Sequence, residues 1–157
     1  ILSTGMANES EIKKAITILK KNGCKNLALL HCVSQYPAKI EDCNLKSIKY
    51  LSKKFKLDVG WSDHTRNPLL VFHAIQKFGA KYIEFHFDLE DKKGYEAAIG
   101  HCWTPKEAFN LLNFLNYKNK IEGNFKKYPN KNEKNERNWR SDPTDGLRPL
   151  SKIRKSF

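Results

Sequence analysis

The sequence predicts an α/β fold in which four β-α units contribute parallel strands to one sheet. Short apolar runs alternate with segments whose apolar residues recur at helical spacing. The links between them are short, as in strand–helix–strand units. Polar residues able to do chemistry collect just after the apolar runs, where such sheets carry their sites.

Ile1-Leu-Ser3 reads as the stub of a first strand, and Asn8-Glu-Ser-Glu11 as a helix N-cap with its glutamate three residues on. The helix that follows sets Ile12, Ala15, Ile16 and Leu19 on one face and stops near Gly23. Leu27-Ala-Leu-Leu-His-Cys32 has the continuous apolar character of a strand buried on both sides. A loop with Tyr36 and Pro37 leads to a helix whose inner face is Leu45, Ile48, Leu51 and Phe55. Val59 to Asp63 is the third strand. Asn67-Pro68 supplies a cap and a proline at the first helical position, ahead of Val71, Ala74, Ile75 and Phe78. Lys81 to Phe87 is the fourth strand. A longer loop with Gly94, Gly100 and Trp103 precedes a capping box, Thr104-Pro-Lys-Glu107, and a helix presenting Ala108, Leu111, Leu112 and Leu115. Residues 1–118 form this body, and 119–157 are a basic, Asn/Lys-rich tail with some order expected. Four such units make either a small doubly wound sheet or half of an eight-fold barrel. In both, function gathers at the carboxyl ends of the strands.

The chain has 157 residues, with 29 Lys and Arg against 17 Asp and Glu, a formal charge of +12. The excess lies on helix faces (Lys13, Lys14, Lys20, Lys21) and between Lys118 and Lys134. That pattern reads as a solvated lysine surface rather than a nucleic-acid interface, and its field suits anionic small substrates. No apolar run approaches the roughly 20 residues that span a bilayer, so no membrane partner is expected. Without a signal-peptide pattern the cytoplasm is the expected compartment. Ile1 opens the chain inside an apolar segment, which reads as a piece of a longer product. Cys24, Cys32, Cys43 and Cys102 lack CxxC spacing and are read as free thiols. A zinc site built from His31-Cys32 and His101-Cys102 is disfavoured, because adjacent ligand pairs fit a tetrahedron poorly.

Two strand ends, Gly60-Trp-Ser-Asp-His64-Thr65 and Tyr82-Ile-Glu-Phe-His86-Phe87, hold the candidate site. Alternate strand residues share a face, so Ser62 pairs with His64 and Glu84 with His86. Trp61, Ile83 and Phe85 point the other way, with Asp63 as the polar exception. His31 has the opposite parity to Cys32 and Ser34 and is expected to face the helices. His73 is a helix residue, and a site role for His101 is left open. A serine, a glutamate and two histidines together would be costly in a plain core. They read as a small oxyanion-and-metal site.

These motifs, with Ile1-Leu-Ser-Thr-Gly-Met6 and Leu29-Leu-His-Cys32 followed by Tyr36-Pro37, resemble the second half of the barrel in the N-acetylneuraminate (sialic acid) synthase family. The resemblance covers roughly residues 1–90. It implies the second half of a TIM (β/α)8 barrel. The implied reaction is a phosphoenolpyruvate-dependent carbon–carbon bond formation on an amino sugar such as N-acetylmannosamine. It also implies that His64 and His86 hold a divalent metal, Mn²⁺ or Mg²⁺. Ser3 and Ser62 would help hold phosphoenolpyruvate, Tyr36 would lie near the sugar, and Glu84 would line the same centre as the catalytic candidate. Ser34 stands where the family usually has Asn and is counted among the substrate-binding residues. The family's Pro-Gly-Pro-Asp stretch is replaced by Asp91-Lys-Lys-Gly-Tyr-Glu96 and Gly100-His-Cys-Trp103. The implied acceptor is therefore an amino sugar of this class rather than one fixed sugar. The parent protein is expected to be a homodimer, and the isolated half-barrel is expected to be inactive. The other readings are another metal-dependent barrel enzyme for phosphorylated sugars, or a basic binding module.

Overall fold

The computed structural model describes residues 1–90, 93–124 and 126–156, without the side chains of Lys118 and Asn119. The chain divides into two compact units, 1–117 and 118–157.

In the first unit, β1 (Leu2–Ser3), β2 (Ala28–Cys32), β3 (Asp58–Asp63) and β4 (Ile83–Phe85) form one parallel sheet in the order β1-β2-β3-β4. The order never reverses, so there is no switch point of the doubly wound kind. Between the strands run α1 (Glu9–Lys21), α2 (Lys46–Phe55) and α3 (Pro68–Gln76). After β4 come α4 (Tyr95–Ile99) and α5 (Pro105–Glu122).

The caps form as the sequence requires. The Asn8 side chain accepts from the amides of Ser10 and Glu11, while Glu11 accepts from the Asn8 amide at 2.8 Å. Asn67 Oδ1 accepts from the Leu69 amide ahead of Pro68. At the start of α5, Glu107 accepts from the Thr104 amide at 2.9 Å and from its hydroxyl at 2.8 Å.

Helix residues Ile12, Ile16, Ile48, Leu51, Leu70, Val71, Ala74 and Leu111 pack on Leu29, Val59 and Trp61 as one core. All of these strand positions share one parity, so every helix that joins this core covers the same face. The register sets Leu30 beside Gly60 and Cys32 beside Ser62, with Glu84 next to Ser62, on the opposite face. Helices on one side only, with a consecutive parallel order, make this unit a segment of a (β/α)8 barrel wall. Gly60 is required there: a Cβ would stand 2.4 Å from the Tyr82 carbonyl oxygen and 2.6 Å from Leu30 Cδ2.

Three details differ from the sequence expectation. The fourth strand is Ile83–Phe85 rather than Lys81–Phe87, because pairing with β3 runs only from Trp61↔Ile83 to Asp63↔Phe85. The loop before Trp103 contains the short helix α4. Leu112 is exposed, and Leu111 rather than Leu112 is buried in the core.

The second unit is turn-rich, with a 3-10 turn (Glu136–Trp139) and α6 (Ser151–Arg154). Asp142 organises it, accepting from the Thr144 amide at 2.9 Å and the Ser151 amide at 2.6 Å. The Thr144 hydroxyl and these amides hold the Asp142 carboxyl far below the ordinary carboxylate range. Among the described residues, no helix is long and apolar enough to cross a membrane.

Candidate active site

The open face of the sheet ends in a cluster of imidazoles. Ser62 and His64 are buried at the end of β3, and His86 follows β4 by one residue. The rings of His64 and His86 lie 5.2 Å apart at 72°. His64 Nδ1 is 2.7 Å from the Val33 carbonyl oxygen. A carbonyl only accepts, so this nitrogen carries the proton and donates. By the same argument His86 Nδ1 donates to Glu96 Oε2 at 3.1 Å. Holding one ring nitrogen on an acceptor so that the other meets a metal is the usual support for a ligating histidine.

Around this pair stand the remaining polar groups. Ser62 donates its hydroxyl to Glu84 Oε2, and its oxygen is 3.4 Å from His64 Nε2. Glu84 itself is exposed on β4. The Tyr36 ring lies against His64, His101 and His86, with centroids at 4.2, 5.0 and 5.5 Å. Burial and the nearby Cys32 and Glu84 groups push the Tyr36 phenol up from its ordinary pKa. Burial, reinforced by His86, lowers that of His101, favouring the neutral, ligating imidazole. The Cys102 thiol is raised by burial and by Glu96.

The other expected residues sit further out. Ser3 is exposed and pairs with Leu30, one strand layer before the Cys32, Ser62 and Glu84 row. Ser34 is exposed, its hydroxyl beside Gly5, whose φ is +48°. His31 faces the helices, with Nε2 donating to the Cys43 carbonyl at 2.8 Å. Asp63 also faces that side. It accepts from the indole N–H groups of Trp61 at 3.2 Å and Trp103 at 2.9 Å, so its part is structural. Asp91 and Lys92, at the start of the stretch that departs from the family pattern, lie outside the described residues.

Sequence reasoning did not place Glu96, His101 and Cys102 at this centre. They follow β4 on a loop and a five-residue helix, where no periodicity assigns a direction. One ligand atom from each of His86, Glu96, His101 and Cys102 lies within 4.8 Å of the others. Their departure from the family's loop was the only signal in the sequence.

A barrel-wall segment with imidazoles, a carboxylate and hydroxyls gathered at its strand ends is the (β/α)8 class of fold with its polar residues where such barrels carry their sites. Residues 1–127 match the NeuB family, and the chain belongs to it. It is 51% identical over 92 residues to the N,N'-diacetyllegionaminic acid synthase of Campylobacter jejuni, a match covering 57% of this chain and 27% of that protein. The N,N'-diacetyllegionaminic acid synthase of Legionella pneumophila is 36% identical over 137 residues, covering 85% of this chain and 38% of its own. The crystal structure of the N-acetylneuraminic acid (sialic acid) synthetase of Leptospira borgpetersenii, in complex with citrate, superposes with a TM-score of 0.67. It is 35% identical, over 86% of this chain and 46% of that one. The chain thus spans less than half the length of these relatives.

Proposed function

We propose that the whole protein is a sugar-acid synthase that joins phosphoenolpyruvate to an N-acetylated amino sugar such as N-acetylmannosamine. The observation that carries this reading is the pair His64 and His86, each anchored through Nδ1 and 5.2 Å apart between ring centroids. With metal–nitrogen bonds of about 2.1 Å, two imidazoles on one ion have centroids about 4.6–5.3 Å apart, so the pair fits a single divalent cation, Mn²⁺ or Mg²⁺. When bound, that cation supplies Lewis-acid polarisation of the sugar aldehyde ahead of attack by the methylene carbon of phosphoenolpyruvate.

The chain's own residues do the rest. Ser3 and Ser34 offer hydroxyl donors to phosphate and carboxylate oxygens, and Ser62 can do so only by turning its single proton away from Glu84. Ser62 also fixes the Glu84 carboxylate by hydrogen bond, and Glu84 is the group that would carry a proton to or from the reacting oxygen. Tyr36, tilted against His64 and edge-on to His86 and His101, offers an apolar wall and a phenol for the sugar. The +12 charge favours anionic substrates. The relatives named for legionaminic and sialic acids support this substrate class, and a homodimer is the proposed assembly of the whole protein.

The test is phosphate release from phosphoenolpyruvate with N-acetylmannosamine and related acetamido sugars. It should be run on a chain holding this segment as the second half of a complete barrel. Metal-dependent turnover should fall at least about 100-fold with His86→Ala. Turnover unchanged by that substitution, or full turnover by residues 1–157 alone, would contradict the proposal.

A further inference from the structure

We propose that His101 is a third histidine ligand to the cation held by His64 and His86, bound through its Nδ1. The proposal rests on the metal-assisted reading above and adds a protein donor from the loop after β4.

His101 is only 2% exposed, and its Nδ1 has no hydrogen-bond partner among the described residues. A buried imidazole nitrogen left in that state is costly unless a ligand completes it. The other ring nitrogen is engaged: Nε2 lies 3.9 Å from Cys102 Sγ. The ring therefore has one occupied side and one free donor.

The three rings also have the spacing of a shared ion. Their centroids stand 5.2 Å (His64–His86), 4.6 Å (His86–His101) and 6.4 Å (His64–His101) apart, with interplanar angles of 72°, 71° and 83°. The point equidistant from these centroids is about 3.2 Å from each, the distance from an imidazole centre to an ion bound at about 2.1 Å. On an octahedral ion, neighbouring imidazoles stand about 4.6 Å apart and opposed ones about 6.5 Å. His86 thus takes the middle position, with His64 and His101 on either side; the Tyr36 ring covers one face of the ion, so two positions remain for substrate oxygens and water.

Glu96 and Cys102 also lie close to His86 and His101, but each already has another part. Glu96 holds His86 Nδ1 and so positions that ring, and Cys102 touches the far nitrogen of His101. An all-imidazole set suits a borderline cation with oxygen ligands, whereas a thiolate would favour softer ions.

The experiment uses the purified protein with Mn²⁺ as the probe. Pulsed electron paramagnetic resonance on the wild type should count three coordinated imidazoles, falling to two in His101→Ala and His101→Gln. Calorimetric Mn²⁺ affinity should fall at least tenfold in both variants. Two imidazoles in the wild type would overturn the role of His101 while leaving the His64–His86 reading intact. Mn²⁺ binding unaffected by His64→Ala and His86→Ala would overturn both. An Mn²⁺ affinity that falls at least tenfold in Cys102→Ser but is unchanged in His101→Gln would overturn the all-histidine set in favour of a cysteine-ligated one.

Discussion

Ser62 and Asp63 are neighbours in one strand, both buried and both polar, yet they belong to opposite faces with opposite economies. On the helix-covered face, Asp63 is answered entirely from within the chain. Oδ1 accepts from Trp61 Nε1 at 3.2 Å and the Thr65 hydroxyl at 2.7 Å; Oδ2 accepts from the Arg66 amide and Trp103 Nε1, both at 2.9 Å. On the other face, His64 Nε2 has only a long 3.4 Å contact with the Ser62 oxygen, and His101 Nδ1 has no partner among the described residues. A fully satisfied buried network specifies the fold. A partly satisfied one awaits something else, and here that marks the site.

The largest test of this contrast is Asp63→Ala. It strands two indole N–H groups and a backbone amide inside the core, and unfolding free energy should drop by about 3 kcal/mol or more. A loss under about 1 kcal/mol in urea unfolding would show that Asp63 is not what joins β3 to Trp103. Next comes Gly60→Ala on the open face. Its Cβ would meet the Tyr82 backbone at 2.4 Å, which backbone shifts relieve at about 1–3 kcal/mol. A neutral result would mean that the two strands are free to part. The smallest effect belongs to Glu107. Burial opposes its ionisation, but hydrogen bonds from Arg66 and Thr104 prevail and hold its carboxyl below the usual range. A depressed folded-state pKa contributes stability that is present above the unfolded value and lost as pH falls through the folded one. Glu107→Gln should therefore lower the urea midpoint at neutral pH and converge with wild type in acid. Equal midpoints at both would remove the ion pair from the account.

Much of the fold was legible in the sequence because its signals are local. Strand parity divided Ser62, His64, Glu84 and His86 from Trp61, Ile83 and Phe85, and the caps at Asn8, Asn67 and Thr104 marked the helix starts. What was not legible depends on contacts far apart in the chain. Asp63 stood out as a polar exception, but its partner Trp103 is 40 residues away. His101 joins the imidazoles through a loop and a short helix that carry no period. Leu111 and Leu112 were both assigned inward by spacing alone, although the rotation of α5 buries only Leu111 of the two.

The central proposal is that the open face holds a divalent cation which the fold does not need. Mn²⁺ titration of the wild type against the double variant His64→Ala, His86→Ala, with urea unfolding on the same samples, tests it most directly. The account predicts an Mn²⁺ affinity at least about 100-fold weaker with an unfolding midpoint close to that of the wild type. An affinity left intact in the folded double variant would contradict it.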